Sequence, residues 1–242
     1  MRRHLIAELG VVLALAEFIV LSPSALAYEV GAVSSGGGIK GKVVFKGGEV
    51  PMKTVVPTKN QDVCGSMRQD PLVEVGKDGG VKNAVAFLKD VAKGKPWGEP
   101  AMPPKINNEK CIFQPHVQVV PLGSDFTIYN SDPILHNTHG FHGTKTVFNV
   151  ALPFQDAQVK KKLDKPGVVR VECDVHGWMQ GWVYVADNPY YTLSGEDGTF
   201  SLADVPPGDY TLLIWQEHGG EMEKRVSVKA GETVDIGMIE IK

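Results

Sequence analysis

From Ile39 to the C-terminus, apolar and polar residues alternate in short runs that Gly, Pro, Asn or Asp interrupt. A period of two is typical of strands that bury one face, and no stretch of useful length shows the spacing of an amphipathic helix. The pattern therefore predicts an all-β protein. Its clearest predicted strands are residues 39–45, 81–91, 117–120, 126–129, 167–173 and 181–185.

The run that ends at Cys173 shows which way its side chains face. Val169 and Val171 share the parity of Cys173, whereas Arg170 and Glu172 have the opposite parity. Because successive side chains of a strand point to opposite faces, the pattern predicts that the Cys173 thiol faces the apolar interior together with the valines.

The last part of the chain, residues 188–242, has a pattern of its own. Phe200 and Leu202 share one face of a predicted strand, a Pro-Pro-Gly turn follows, and Leu212 and Ile214 share one face of the next. Turn residues of this kind between alternating runs are typical of antiparallel β structure. We therefore expect a second, smaller β-sandwich here.

The N-terminus predicts export. Residues 1–27 contain two arginines, an apolar stretch and a small-residue cleavage site ending at Ala27, which is the pattern of a signal peptide. Glu8 and Glu17 interrupt the apolar stretch, so an uncleaved anchor stays an alternative, but two carboxylates in lipid would be costly. We favour cleavage, which leaves no membrane span and a periplasmic or other extracytoplasmic protein. Residues 28–38, rich in Ser and Gly, predict a flexible linker.

Length and charge narrow the class of partner. The chain has 242 residues, enough for one large or two small domains. Its formal net charge is only −3, which argues against nucleic acid or an anionic membrane surface as a partner.

A candidate metal site lies in the connection between two predicted strands. Cys173, His176 and Met179 place a thiolate, an imidazole and a thioether within seven residues. Together with a second imidazole they are the ligands of mononuclear blue copper centres, because soft sulfur and borderline nitrogen suit both copper oxidation states. His136, or its rival His139, could supply that imidazole. The pattern predicts one copper ion per chain.

Three cysteines in an exported protein suggest one pair and one reserved thiol. If Cys173 binds metal, Cys64 and Cys111 should form a disulfide. Pairing of Cys173 with either of the other two stays open, and it would consume the ligand thiol.

Residues 105–187 resemble the cupredoxin family, in particular its amicyanin- and plastocyanin-like members. The resemblance rests on the Cys-x-x-His-x-x-Met loop from Cys173 to Met179 and on the segment His136-Asn-Thr-His139. It implies a Greek-key β-sandwich in which His136, Cys173 and His176 are equatorial ligands and Met179 is the axial ligand. It also implies that Asn137 ties the two ligand loops together without binding the metal, and that His176 reaches the surface and is the exit for the electron.

Residues 188–242 resemble the carboxypeptidase regulatory-like, or transthyretin-like, domain. The resemblance rests on Asp197-Gly-Thr-Phe200 and Pro206-Pro-Gly-Asp-Tyr210. Residues 39–104 are interpreted as an N-terminal β segment that could supply the opening strands of that domain. The cupredoxin unit would then be inserted into it, and strand 39–45 should pair with the sheet of residues 199–241.

These observations favour a one-electron carrier with a redox partner protein, such as a c-type cytochrome or a membrane oxidoreductase. The alternatives are a periplasmic module that binds and delivers copper without redox turnover, and a structural envelope module with a vestigial site. No hydrolase, phosphate-loop or zinc-protease motif is present, so we expect no enzymatic activity. A second metal site formed by His116, His139 and His142 is a further hypothesis.

Overall fold

The computed structural model describes residues 28–242, so the predicted signal peptide lies outside the described residues. Nearly all regular secondary structure of the described chain is β, which confirms the predicted fold class. Its strands are β1 Glu29–Val30, β2 Gly37–Phe45, β3 Met52–Val55, β4 Arg68–Pro71, β5 Val85–Lys89, β6 Lys93–Gly94, β7 Lys105–Glu109, β8 Ile112–Gln114, β9 Val117–Pro121, β10 Asp125–Asn130, β11 His136–His142, β12 Lys145–Leu152, β13 Gln158–Lys162, β14 Gly167–Glu172, β15 Gln180–Ala186, β16 Tyr191–Leu193, β17 Thr199–Val205, β18 Gly208–Gln216, β19 Gly220–Val228 and β20 Thr233–Ile241. A short α-helix, α1, covers Gln61–Cys64, and a 3-10 turn covers Lys77–Gly79.

No helix among residues 28–242 is long and apolar enough to cross a membrane.

The first sandwich is built from strands within residues 37–89 and 191–241. One sheet has the order β16-β5-β18-β19, and the other has the order β17-β2-β20. Strand β2 lies antiparallel to β17 and parallel to β20. This is the pairing expected between strand 39–45 and the sheet of residues 199–241 if the cupredoxin-like unit is inserted into this sandwich. The apolar side chains between the two sheets include Val43, Leu88, Phe200, Leu212 and Ile214, each at most 5% exposed.

The second sandwich is formed by β7 to β15 and lies in sequence between β5 and β16. Its sheets have the orders β12-β11-β14-β15-β9 and β13-β10-β7-β8. Strand β14 shows the predicted alternation, since Val169 and Val171 are buried and Arg170 and Glu172 are partly exposed. Cys173 follows directly and is also buried, so the predicted direction of its thiol is confirmed.

The two sandwiches pack against each other through a third apolar cluster. Phe87 of β5 and Trp215 of β18 meet Tyr184 and Trp182 of β15, with ring centroids 5.3 Å apart in each pair. Through this contact the sheet that contains β5 packs on the sheet that contains β15. It fixes the orientation of the five-stranded sheet that leads into the candidate metal site.

Residues 28–38 are not the flexible linker that their composition predicts. Strand β1 pairs with β6, and β2 already begins at Gly37. A Cβ at Gly37 would lie 2.5 Å from the Lys229 carbonyl oxygen, so the glycine is required by close packing against the chain. Composition misled here because glycine serves tight backbone approach as well as flexibility.

Candidate metal centre

The ends of two strands bring three of the predicted ligands together. His136 is the first residue of β11, Cys173 follows β14, and His176 lies in the connection to β15. Cys173 Sγ is 3.8 Å from His136 Nδ1 and 3.7 Å from His176 Nδ1, and the two Nδ1 atoms are 3.0 Å apart. Both histidines are fully buried, and Cys173 is 2% exposed.

The size of this triangle is that of a metal site. The point equidistant from its three corners lies about 2 Å from each ligand atom, close to the bond lengths of about 2.0–2.1 Å for imidazole nitrogen and about 2.3 Å for thiolate sulfur found in zinc sites. The donor set, one sulfur and two imidazoles, is that of a copper site. The residues present therefore fit the predicted ion.

The hydrogen bond behind His136 determines which ring nitrogen is free. His136 Nε2 donates to Asp132 Oδ2 at 2.9 Å, so the lone pair is on Nδ1 and points into the triangle. The Asp132 carboxylate is itself nearly buried and accepts the backbone N–H groups of Lys110 and Cys111. Burial lowers the pKa of His136 even though Asp132 acts in the opposite direction, so the ring stays neutral.

The same arrangement is found behind His176. Its Nε2 donates to Asn60 Oδ1 at 3.0 Å, which leaves a lone pair on Nδ1. Burial, followed by the charges of His136 and Lys59, lowers the pKa of His176 to about 4. Two neutral imidazoles thus face each other with unprotonated nitrogens 3.0 Å apart. With these tautomers such a pair is repulsive unless a cation lies between them, which agrees with the metal site that the size of the triangle indicates.

Cys173 is the one free cysteine among the described residues, because Cys64 and Cys111 form a disulfide. Burial raises the pKa of the Cys173 thiol, against the effect of hydrogen bonds at Asn137, His176 and Val175. A bound cation reverses that balance, since a coordinating thiol loses its proton. The thiol therefore favours its protonated form without metal and would become a thiolate with a metal ion bound.

Asn137 joins the two segments that carry the ligands. Its Oδ1 accepts the backbone N–H groups of Asp174 and Val175 at 2.6 and 3.3 Å, and it lies 3.4 Å from Cys173 Sγ. Its Nδ2 donates to the Asp174 carboxylate at 2.7 Å. The residue after His136 thus holds the start of the Cys173 loop in place.

Met179 is 2% exposed and packs in the same apolar core as Cys173. Its backbone N–H donates to the His176 carbonyl at 2.9 Å, which closes the loop into a tight turn. With Trp178 it lines a cavity of about 490 Å³. The Trp178 ring packs on His176 at a centroid distance of 5.1 Å.

The expectation that His176 reaches the surface is wrong. The ring has no exposed area, because residues before the second sandwich fold over it. Asn60 covers its Nε2, and the sulfurs of Cys64 and Cys111 lie within 4.8 Å of a His176 nitrogen. His176 is enclosed by the covering segment, residues 56–67 between β3 and β4, which the Cys64–Cys111 disulfide links to the second sandwich.

His139 and His116 make side-chain hydrogen bonds outside the ligand triangle. His139 lies between Asp174 and Thr146, with hydrogen bonds of 3.1 and 2.9 Å, and His116 bonds Glu217 at 2.7 Å. Within residues 28–242, no group of three His, Cys, Asp or Glu ligand atoms within 4.8 Å of one another includes His116, His139 or His142. The structure does not bring the hypothetical second site together.

Two residues of the site were missed by sequence reasoning. Asp132 carries a local signal, because it is an acidic residue four positions before His136. Asn60 carries none, because 116 positions separate it from His176.

Comparison with known proteins gives partial matches. Residues 166–236 match the family model of polysaccharide lyase family 4, domain II. The match begins next to β14 in the second sandwich and runs into β20 in the first, and it is not to the transthyretin-like family. A probable rhamnogalacturonate lyase A from Aspergillus flavus is 39% identical over 56 residues, which are 23% of this chain and 10% of the relative. The chain thus spans about a tenth of that relative.

Similar solved structures include copper proteins. A purple cupredoxin from Nitrosopumilus maritimus matches 34% of this chain and 98% of its own, with 22% identity and a TM-score of 0.30. A reduced amicyanin variant matches 34% of this chain and 79% of its own, with 19% identity and a TM-score of 0.31. A copper-containing nitrite reductase from Thermus scotoductus matches 35% and 22%, with 19% identity and a TM-score of 0.30.

Proposed function

We propose that this chain is an exported mononuclear copper protein that carries one electron at a time. The observation that carries the proposal is the buried triangle of Cys173 Sγ and two imidazole nitrogens, both freed by hydrogen bonds on the opposite side of their rings. A structural thiol beside two chance histidines would have no reason to hold two lone pairs 3.0 Å apart.

His136, Cys173 and His176 would hold the ion, with Met179 as a weak axial ligand. The chemistry that copper supplies is a one-electron couple between Cu(II) and Cu(I). The chain keeps water out by burying all three ligands, and Asp132 and Asn60 hold the two rings in orientation. Asn137 keeps the ligand segments together, so the site is rigid when the charge changes.

The proposed partners are an electron donor and an electron acceptor, such as a c-type cytochrome or a membrane oxidoreductase, and no substrate is turned over. Because His176 is enclosed, such a partner would contact the residues that cover the ring.

The test is a visible and paramagnetic-resonance spectrum of the purified protein with one equivalent of Cu(II). We expect one copper per chain and an intense thiolate-to-copper band, which Cys173→Ser abolishes. His218→Gln is the matched control, because the exposed His218 lies in the loop between β18 and β19, outside the ligand triangle, and it should keep the band. A wild-type spectrum without the band would contradict the proposal.

The transfer of Cu(I) to a chelator distinguishes an electron carrier from a copper-delivery module. The enclosed site predicts that the reduced, copper-loaded protein keeps its Cu(I) against a soluble chelator and can be reversibly oxidised to the Cu(II) form by one electron. Rapid surrender of Cu(I) to the chelator, without the band in the oxidised form, would instead identify copper delivery.

A further inference from the structure

Asn60, the N-cap residue of α1 in the segment that covers His176, does not use its side chain to cap the helix. Asn60 precedes α1, and its backbone carbonyl accepts the N–H groups of Val63 and Cys64 at 3.0 and 2.8 Å. An N-cap asparagine ordinarily also bonds one of these N–H groups with its side-chain oxygen. Here the Asn60 side chain makes no such bond and reaches His176 Nε2 instead.

Asn60 stands between His176 and solvent. Asn60 itself is exposed, whereas the ring that it contacts is fully buried. Its backbone is left-handed, with φ 50° and ψ 42°, a conformation that Asn, Asp and Gly adopt more readily than other residues. The conformation aims a short acceptor inward from a surface position.

One disulfide ties this contact to the second histidine. Cys64 ends α1, and its partner Cys111 donates its backbone N–H to Asp132 Oδ2, which also accepts His136 Nε2. The hydrogen-bond acceptors behind both rings are therefore held by a single covalent link between the covering segment and the second sandwich.

We propose that Asn60 is the positioning residue of His176: it fixes the ring as the Nε2–H tautomer and closes this side of the metal centre against solvent. The proposal rests on the proposed function for its metal readout. Outer partners of ligand histidines typically change metal affinity by about 10- to 100-fold when removed. We expect a loss in that range when the Asn60 acceptor is removed.

Three variants test the role of this acceptor. Asn60→Gly removes the acceptor and suits the left-handed backbone, so backbone strain is not introduced. Asn60→Asp keeps an acceptor oxygen at the same place. Asp78→Gly is the matched control, because Asp78 is another exposed residue with φ 60°, lies in the 3-10 turn before β5, and takes part in none of the hydrogen bonds of the site.

The first measurement needs no metal: nitrogen NMR of histidine-labelled, metal-free protein reports the tautomer of His176. Wild type, Asn60→Asp and Asp78→Gly should show the Nε2–H form, and Asn60→Gly should lose it. The second is the rate at which a chelator removes copper, which should rise about 10- to 100-fold in Asn60→Gly alone.

The outcomes separate the two proposals. A wild-type protein that fails to bind copper would overturn the proposed function, while the tautomer still tests Asn60. Wild-type copper binding together with an unchanged tautomer and copper-release rate in Asn60→Gly would overturn the role of Asn60 alone.

Discussion

The two predicted ligand histidines have chemically different partners behind them. His136 donates to a buried carboxylate, Asp132, and His176 donates to a neutral amide, Asn60. A carboxylate partner makes the imidazole a more basic ligand, which donates its electron pair more strongly to a metal ion, and it adds negative charge near the site. Both effects favour the metal ion of higher charge. At the scale of single residues, Asp132 would therefore stabilise Cu(II) relative to Cu(I) in the proposed copper site.

Replacing Asp132 by Asn should raise the reduction potential of the copper-loaded protein. The amide oxygen can still accept from His136, but the negative charge is lost. We expect a rise on the order of 60 mV, which is a tenfold change for one electron. A spectroscopic redox titration measures it, with Asp125→Asn as control, because Asp125 is exposed and pairs with Lys162 on the other sheet. An unchanged or lower potential would refute the electrostatic role of Asp132.

At the scale of elements, the site depends on one local and one distant structure. The local structure is the connection from Cys173 to Met179, which lies between β14 and β15 as the alternation predicts. The distant one is the covering segment with α1, which the disulfide holds to the turn between β7 and β8. Four residues are too few to show helical periodicity, so α1 could not be predicted from the pattern.

Removing the disulfide with Cys64→Ser and Cys111→Ser together should destabilise the protein and loosen the cover over His176. The cross-link spans 47 positions, which corresponds to about 4 kcal/mol in the chain-entropy model. Denaturant unfolding measures the loss, and copper release to a chelator measures the opening of the cover. Release as slow as in the wild type, despite lower stability, would show that the cover does not depend on the cross-link.

At the scale of the whole molecule, the two sandwiches are joined by aromatic packing and by a polar pair. His116, next to β9, bonds Glu217 of the loop after β18 at 2.7 Å. Burial lowers the pKa of His116, but the hydrogen bond and charge of Glu217 outweigh it, so the pKa is raised. Protonation of His116 therefore strengthens the contact between the sandwiches.

This pair predicts a pH dependence of stability. A histidine whose pKa is raised by folding contributes stability that is complete below the unfolded value of about 6.5 and is lost as the pH rises through the folded value. The contribution should be less than about 1 kcal/mol, because the pair is partly screened by solvent. The free energy of unfolding, measured across this range, should lose this stabilisation at low pH in Glu217→Gln, because burial then lowers the pKa of His116 without opposition from Glu217, and should keep it in Glu221→Gln. A dependence that persists in Glu217→Gln would assign it to another group.

The amino-acid order alone determined the local features: the strands, the inward direction of Cys173 and the short loop from Cys173 to Met179. These follow from side-chain parity and from spacing along the chain, which are properties of neighbouring residues. Only the tertiary structure decided what surrounds the candidate ligands. Asn60 meets His176 across 116 positions, and the ordered residues 29–38 pack where composition predicted a tether. Contacts of this kind depend on how separate segments pack and on the cross-link from Cys64 to Cys111, and no local pattern records them.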